Sequence, residues 1–160
     1  MRIDVLKHPL RLMLICVSLM GAGCGEGKRP YAMVHMCVVN DDGVSTFKHV
    51  MREIAASEGM EFVDGSARTD KELKIINPDG KYNFINGGII NVGMQGNGIS
   101  LSATNLGLLK YQIAIGFSGD AEREQTAEFV QRVVGPLSRH WVVEFVPSDQ
   151  GVFKMDECGE

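Results

Sequence analysis

The chain is poor in the residues that most often mark chemistry. Its 160 residues include only four cysteines, four histidines and one tryptophan, and aromatic residues make up 7% of it. No cysteine pair has C-x-x-C spacing and no histidine pair has the H-x-x-x-H spacing that prepares a zinc site. The G-x-S-x-G elbow of a serine hydrolase and the lysine-bearing phosphate loop are both missing. No apolar run reaches the ~20 residues that a membrane-spanning helix needs. Positive charge is also short: 16 Lys and Arg stand against 20 Asp and Glu, a net charge of −4. That balance argues against nucleic acid as a partner, because phosphate binding needs a basic face.

The strongest positive signal lies at the N-terminus. Arg2, Lys7 and Arg11 precede an apolar run from Leu12 to Met20, and Gly21-Ala22-Gly23 close it before Cys24. A basic region, a short apolar core and a small-residue exit are the grammar of a secretory signal peptide. Asp4 is the one acidic residue in the basic region. Ala22-Gly23-Cys24 resembles the lipobox of bacterial envelope lipoproteins, with Gly21 where that pattern usually has an aliphatic residue. The resemblance implies that Cys24 carries a diacylglyceryl group and becomes the first residue after cleavage. With Gly25 rather than aspartate behind it, the resemblance also implies sorting to the outer membrane. The alternative is ordinary cleavage near Ala22 or Gly23, which yields a soluble periplasmic protein with an extra thiol. The chain then divides into a signal peptide over 1–23, a lipidated tether over 24–30 and a single domain over 31–160. Contact with the membrane is expected through the lipid alone.

Cleavage after residue 23 leaves 137 of the 160 residues, one ordinary domain. Three basic residues and one acidic residue go with the leader, so 13 stand against 19 and the net charge becomes −6. Cys16 lies in the discarded core and Cys24 is the lipid site, which leaves Cys37 and Cys158. An even pair in an oxidising compartment is expected to form a disulfide. A reactive thiol at Cys37 is the competing reading.

Along the mature chain, Gly25 to Pro30 form a polar tether. Tyr31 to Val39 is apolar on both faces, as in a strand covered on both sides. Phe47, Val50, Met51, Ile54 and Ala55 recur every three or four residues, which predicts an amphipathic helix capped by Asp42 or Ser45 and stopped by Gly59. Met60 to Val63 is a second strand, Asp64 to Asp70 a polar loop, and Leu73 to Ile76 a short strand. Pro78-Asp79-Gly80 has turn chemistry. From Tyr82 to Phe117 apolar and polar residues alternate, most cleanly at Ile99, Leu101 and Ala103 and at Ile113, Ile115 and Phe117. That period of two predicts a β meander, turned at Gly96-Asn97-Gly98 and Asn105-Leu106-Gly107. Ser118-Gly119-Asp120 opens a second helix with Ala127, Val130, Val133, Val134 and Leu137 as its stripe, ended or kinked at Gly135-Pro136. Trp141 to Val146 is a last strand. The fold expected is α+β: two helices on one face of a mainly antiparallel sheet, in β-α-β-meander-α-β order, loosely ferredoxin-like.

Four groups of residues invite a chemical reading. Met33, His35 and Cys37 share one strand face, a start for a metal site, but only His49 and His140 remain to complete it, and a buried histidine beside a disulfide accounts for the pair. Asp41, Asp42 and Asp120 offer carboxylates, yet turn and cap chemistry explains them and nothing fixes their separation. Gly87-Gly88 and Gly93 to Gly98 lie between strands, as turns and bulges do, and Ser100 and Ser102 lack a nucleophile's surroundings. Asn77, Asn83, Asn86, Asn91 and Asn97 punctuate a glycine-rich stretch that suits either recognition or plain turns. No catalytic residue, metal or cofactor emerges. The expectation is therefore a protein-binding module in the periplasm, such as an immunity protein or inhibitor against an envelope-targeting toxin. The alternatives are an accessory subunit of an envelope complex and, more remotely, an enzyme or metal carrier using His35 and Asp41.

Overall fold

The computed structural model describes residues 31–38, 40–78, 88–105 and 111–147. The segments expected to be signal peptide and tether, with Cys24, Cys158, Asn83, Asn86 and most of the turn at Pro78-Asp79-Gly80, lie outside them. The described elements run β1 (Ala32–Cys37), α1 (Asp41–Ser57), β2 (Glu61–Asp64), α2 (Ser66–Ile76), β3 (Asn91–Gly96), β4 (Ile99–Thr104), β5 (Gln112–Gly119), α3 (Arg123–Leu137) and β6 (Val143–Phe145). The six strands form one sheet in the order β2-β3-β4-β5-β1-β6. Every neighbouring pair is antiparallel. This is the α+β plan the alternation implied, with β1 held between the end of the meander and the last strand.

One face of the sheet is the core. Val34 and Met36 of β1, Ile113, Ile115 and Phe117 of β5, Leu101 of β4 and Met94 of β3 are buried there with the stripes of α1 and α3. All five residues of the α1 stripe read from the sequence are buried. Those side chains return every three or four positions, so a single helix face seals the sheet. In α3 the stripe is rotated: Thr126 and Phe129 are buried, whereas Ala127 and Val134 are only partly so. Phe129 meets Phe117 edge to face, with ring centroids 6.1 Å apart. Phe47 of α1 meets Trp141 in the same manner at 6.2 Å. Such pairs contribute about 0.5–1.5 kcal/mol beyond their buried area.

The structure corrects three local expectations. The α1 cap is Asn40, whose Oδ1 accepts from Gly43 N at 2.9 Å, and Asp41 and Asp42 occupy the first turn. The span assigned to a loop and a short strand is instead the helix α2. It buries only Ser66, so the apolar periodicity that announces a helix is missing. Its support is charge spacing: Arg68 pairs with Glu72 at 2.8 Å and Lys74 with Asp70 at 2.6 Å, both four residues apart. Helix α3 starts at Arg123, later than the Ser-Gly-Asp opening, because Asp120 N and Ala121 N both donate to Gly98 O and hold that segment against the β3–β4 hairpin. That hairpin has the predicted chemistry, with Asn97 at φ 53° and Gly98 at φ 73°, as a two-residue turn between twisted strands requires. Gly59 ends α1 at φ 64°.

Candidate functional site

The second face of the sheet divides into a buried part and an open part. Residues in register across antiparallel strands project to the same side. Asn91, Thr104, Ala114, His35 and Glu144 form one such row, and Val63, Gly93, Ser102, Gly116 and Met33 form the next. Glu61, Gln95, Ser100 and Ser118 form a third. At the β5–β1 end, His35, Ala114 and Gln112 are buried. At the β2–β3–β4 end, Glu61, Val63, Gln95, Ser100 and Ser102 are exposed.

On the open part lie two clefts. The first, about 350 Å³, lies between α2 and β3, lined by Arg68, Thr69 and Glu72 on the helix side and by Val63, Gly93 and Ser102 on the sheet. The second, about 410 Å³, lies at the hairpin end, where Glu61, Gln95, Asn97, Ser100 and Asp120 surround it. Gly93 of the first and Gln95 of the second are two residues apart on one strand face, so the clefts follow one another along β3. Taken together as one groove, they have a floor of small and polar residues.

Its walls are fixed by hydrogen bonds. Asn91 Nδ2 donates to Thr69 Oγ1 at 2.7 Å, Asn91 N to Ser66 Oγ at 3.1 Å, and Gly65 N to Asn91 O at 2.9 Å. These three bonds seat α2 at the end of β3. Gln95 Nε2 donates to Glu61 Oε2 at 3.1 Å across the β2–β3 ladder. Burial pushes the Asp64 carboxyl up, but hydrogen bonds from Ser66 and the Lys48 ammonium outweigh that and hold it below its ordinary value. Asp64 thereby joins α1, β2 and the start of α2.

The residues singled out in the sequence do not assemble into a reaction centre. His35 and Cys37 share a face of β1, but the Cys37 sulfur is held in a disulfide, which removes it as a thiolate ligand and as a free thiol. His49 pairs with Glu53 on the exposed side of α1, and His140 lies against Trp141 beyond α3. Among the described residues no group of three or more His, Cys, Asp or Glu is placed to hold a metal ion. Asp41 accepts from the Tyr111 hydroxyl at 3.3 Å, at the opposite end of the sheet from Asp120 beside the hairpin. Of the asparagines, Asn91 is committed to α2, Asn97 makes the turn and Asn77 follows α2. Asn105, fully buried, clamps a loop: its Oδ1 accepts from Ile90 N at 2.8 Å and its Nδ2 donates to Gly88 O at 2.9 Å.

Sequence reasoning missed the groove because one wall is the unrecognised helix α2. The signal available was the pair of i,i+4 ion pairs together with a strand glycine, Gly93. Comparison with family models, with curated proteins and with solved structures finds no match.

Proposed function

We propose that this chain is an exported, lipid-anchored protein-binding module of the bacterial envelope, attached through Cys24 to the periplasmic side of the outer membrane. The observation that carries the reading is the open part of the second sheet face. A sheet that buries His35 and Gln112 at one end and leaves Ser100, Ser102 and Gln95 exposed at the other presents a rigid, polar, uncovered platform. Rigid scaffolds that expose adaptable polar groups suit recognition of another protein. In the immunity or inhibitor reading, the domain occludes an envelope-targeting toxin by binding it, and its negative charge steers a basic partner.

The accessory-subunit reading draws on a different feature. Strand β6 is a short edge strand, with Phe145 53% exposed in it and Val142 72% exposed just before it, an apolar margin that another subunit's strand could extend.

Affinity capture of the tagged protein from its own envelope, read by mass spectrometry, tests the binding reading. One stoichiometric protein partner is expected, a toxin under the first reading and complex subunits under the second. Recovery of the protein with a bound metal or small molecule and no protein partner overturns both. For the anchor, palmitate labelling is expected in the wild type and not in Cys24→Ser.

A further inference from the structure

Resting on the binding-module reading, we infer that the groove over β3 and β4 takes an extended, lysine- or arginine-bearing segment of the partner protein, laid along the strands between α2 and the β3–β4 hairpin. Three features of the groove define that occupant.

The first is its direction. The two clefts follow one another along β3, the first at Gly93 beside Thr69 and the second at Gln95 and Asn97, so an occupant that fills both runs in the strand direction. An extended peptide has that shape, with side chains leaving alternately toward and away from the floor.

The second is the floor. Gly93 lies inside a regular ladder, opposite Val63 on one side and Ser102 on the other, with no bulge. The fold itself does not demand glycine there. Its φ is not positive, and an added Cβ would meet Leu101 O at 3.6 Å, an ordinary contact. A strand glycine costs about 0.5–1 kcal/mol relative to alanine, and often marks a place where another backbone approaches closely. With Ser102 beside it, Gly93 leaves the middle of the groove low enough for main chain.

The third is charge. Among the described residues lining the two clefts, Glu61, Glu72 and Asp120 are acidic and Arg68 alone is basic. Arg68 is itself bound to Glu72 at 2.8 Å. Glu61 is exposed at the edge strand, and among the described residues its carboxylate accepts only from a neutral amide, Gln95 Nε2. Glu61 thus complements a cation near the hairpin end, and the net charge of −4 on the whole chain acts in the same sense at longer range.

The test uses the exported protein, isotopically labelled and purified from the envelope, and two blocked peptides of about eight residues, one alternating Thr and Lys and the other alternating Thr and Glu. The Thr–Lys peptide is expected to shift the amide resonances of Gly93, Gln95, Ser100 and Ser102, and the Thr–Glu peptide to bind about tenfold more weakly or not at all. Glu61→Lys is expected to weaken the Thr–Lys peptide about tenfold. Gly93→Val, which fills the floor, and Ser102→Tyr, an exposed substitution that spares the core, are each expected to abolish the shifts. Shifts centred elsewhere, equal binding of both peptides, unchanged binding by Ser102→Tyr, or no shift at millimolar peptide overturns the groove. A stoichiometric envelope partner captured as well by Ser102→Tyr and Glu61→Lys as by the wild type also overturns it while leaving the binding-module reading standing. Groove binding of the Thr–Lys peptide without any envelope partner does the reverse.

Discussion

His35 and Glu144 face each other across the β1–β6 ladder, one buried in the sheet and the other exposed on the edge strand. No hydrogen bond reaches the Nε2 of His35. Burial lowers the pKa of His35, and the neighbouring Glu144 carboxylate raises it by less. The native state therefore holds a neutral imidazole that the unfolded chain protonates below about pH 6.5. The stability is full above that value and is lost as pH falls toward the depressed native pKa, because the unfolded state then binds the extra proton. Denaturant midpoints should fall between about pH 7.5 and 5.5, and His35→Gln should flatten that part of the profile. Glu144→Gln removes the charge that opposes the shift, so it should make the decline steeper. A profile unchanged by His35→Gln would exclude His35 as its origin.

Arg132 of α3 and Glu58 at the end of α1 tie the two core helices together from the solvent side. Arg132 Nε lies 2.9 Å from one Glu58 carboxylate oxygen and 3.0 Å from the other. The Glu58 side chain is 19% exposed and the Arg132 side chain 47%, so the pair is only partly screened. A double-mutant cycle with Arg132→Ala and Glu58→Gln should give a coupling of about 0.5–1 kcal/mol, reduced in molar salt. A coupling of zero at low salt would show that the two helices are held by their apolar faces alone.

The parts of the fold that follow from apolar periodicity were legible in the sequence. The α1 stripe from Phe47 to Ala55 and the alternation in β4 and β5 specify buried faces directly, and the core they predict is the core observed. Helix α2 was illegible for the complementary reason. It buries almost nothing, and Leu73, Ile75 and Ile76 look like a strand when their neighbours' charge pairing is ignored. The sequence conceals Phe129 because Ala127 and Val134 offer a competing phase for the same helix. The groove leaves little trace in one dimension beyond the charge pairs of α2 and the strand glycine Gly93. It exists because Asn91 brings α2 to a strand face whose other members, Gln95, Ser100 and Ser102, carry no signal of their own.

Gly119 is the position where the backbone permits no side chain. Its φ is +145°, and an added Cβ would collide with Gly98 O and crowd Ile99. Gly98 O in turn accepts from Asp120 N and Ala121 N at 2.9 and 3.1 Å. Gly119→Ala must therefore displace the hairpin as well as adopt a disfavoured φ, and it should cost about 2–4 kcal/mol. Gly98→Ala, with φ +73° but only ordinary contacts at 3.5 Å or more, should cost about 1 kcal/mol. Chemical denaturation of the two variants distinguishes them, and equal losses would show that the collision at Gly119 relaxes without cost.

The disulfide at Cys37 bears on the anchor as well as on stability. If a leader ending before Cys24 is removed, Cys24 and Cys158 are the remaining cysteines of this sequence that could pair with Cys37. Cys24 cannot both carry a thioether-linked lipid and form a disulfide, so Cys37–Cys158 is the linkage expected of a lipid-anchored chain. Peptide mapping without reductant should recover that linkage, and Cys158→Ser should leave Cys37 open to alkylation. The loop closed by this bond spans roughly 120 residues, for which loss of the crosslink costs about 4–5 kcal/mol in the chain-entropy model. A Cys24–Cys37 linkage would refute the anchor and favour the soluble periplasmic form, with the N-terminal segment fastened to β1 instead of to the membrane.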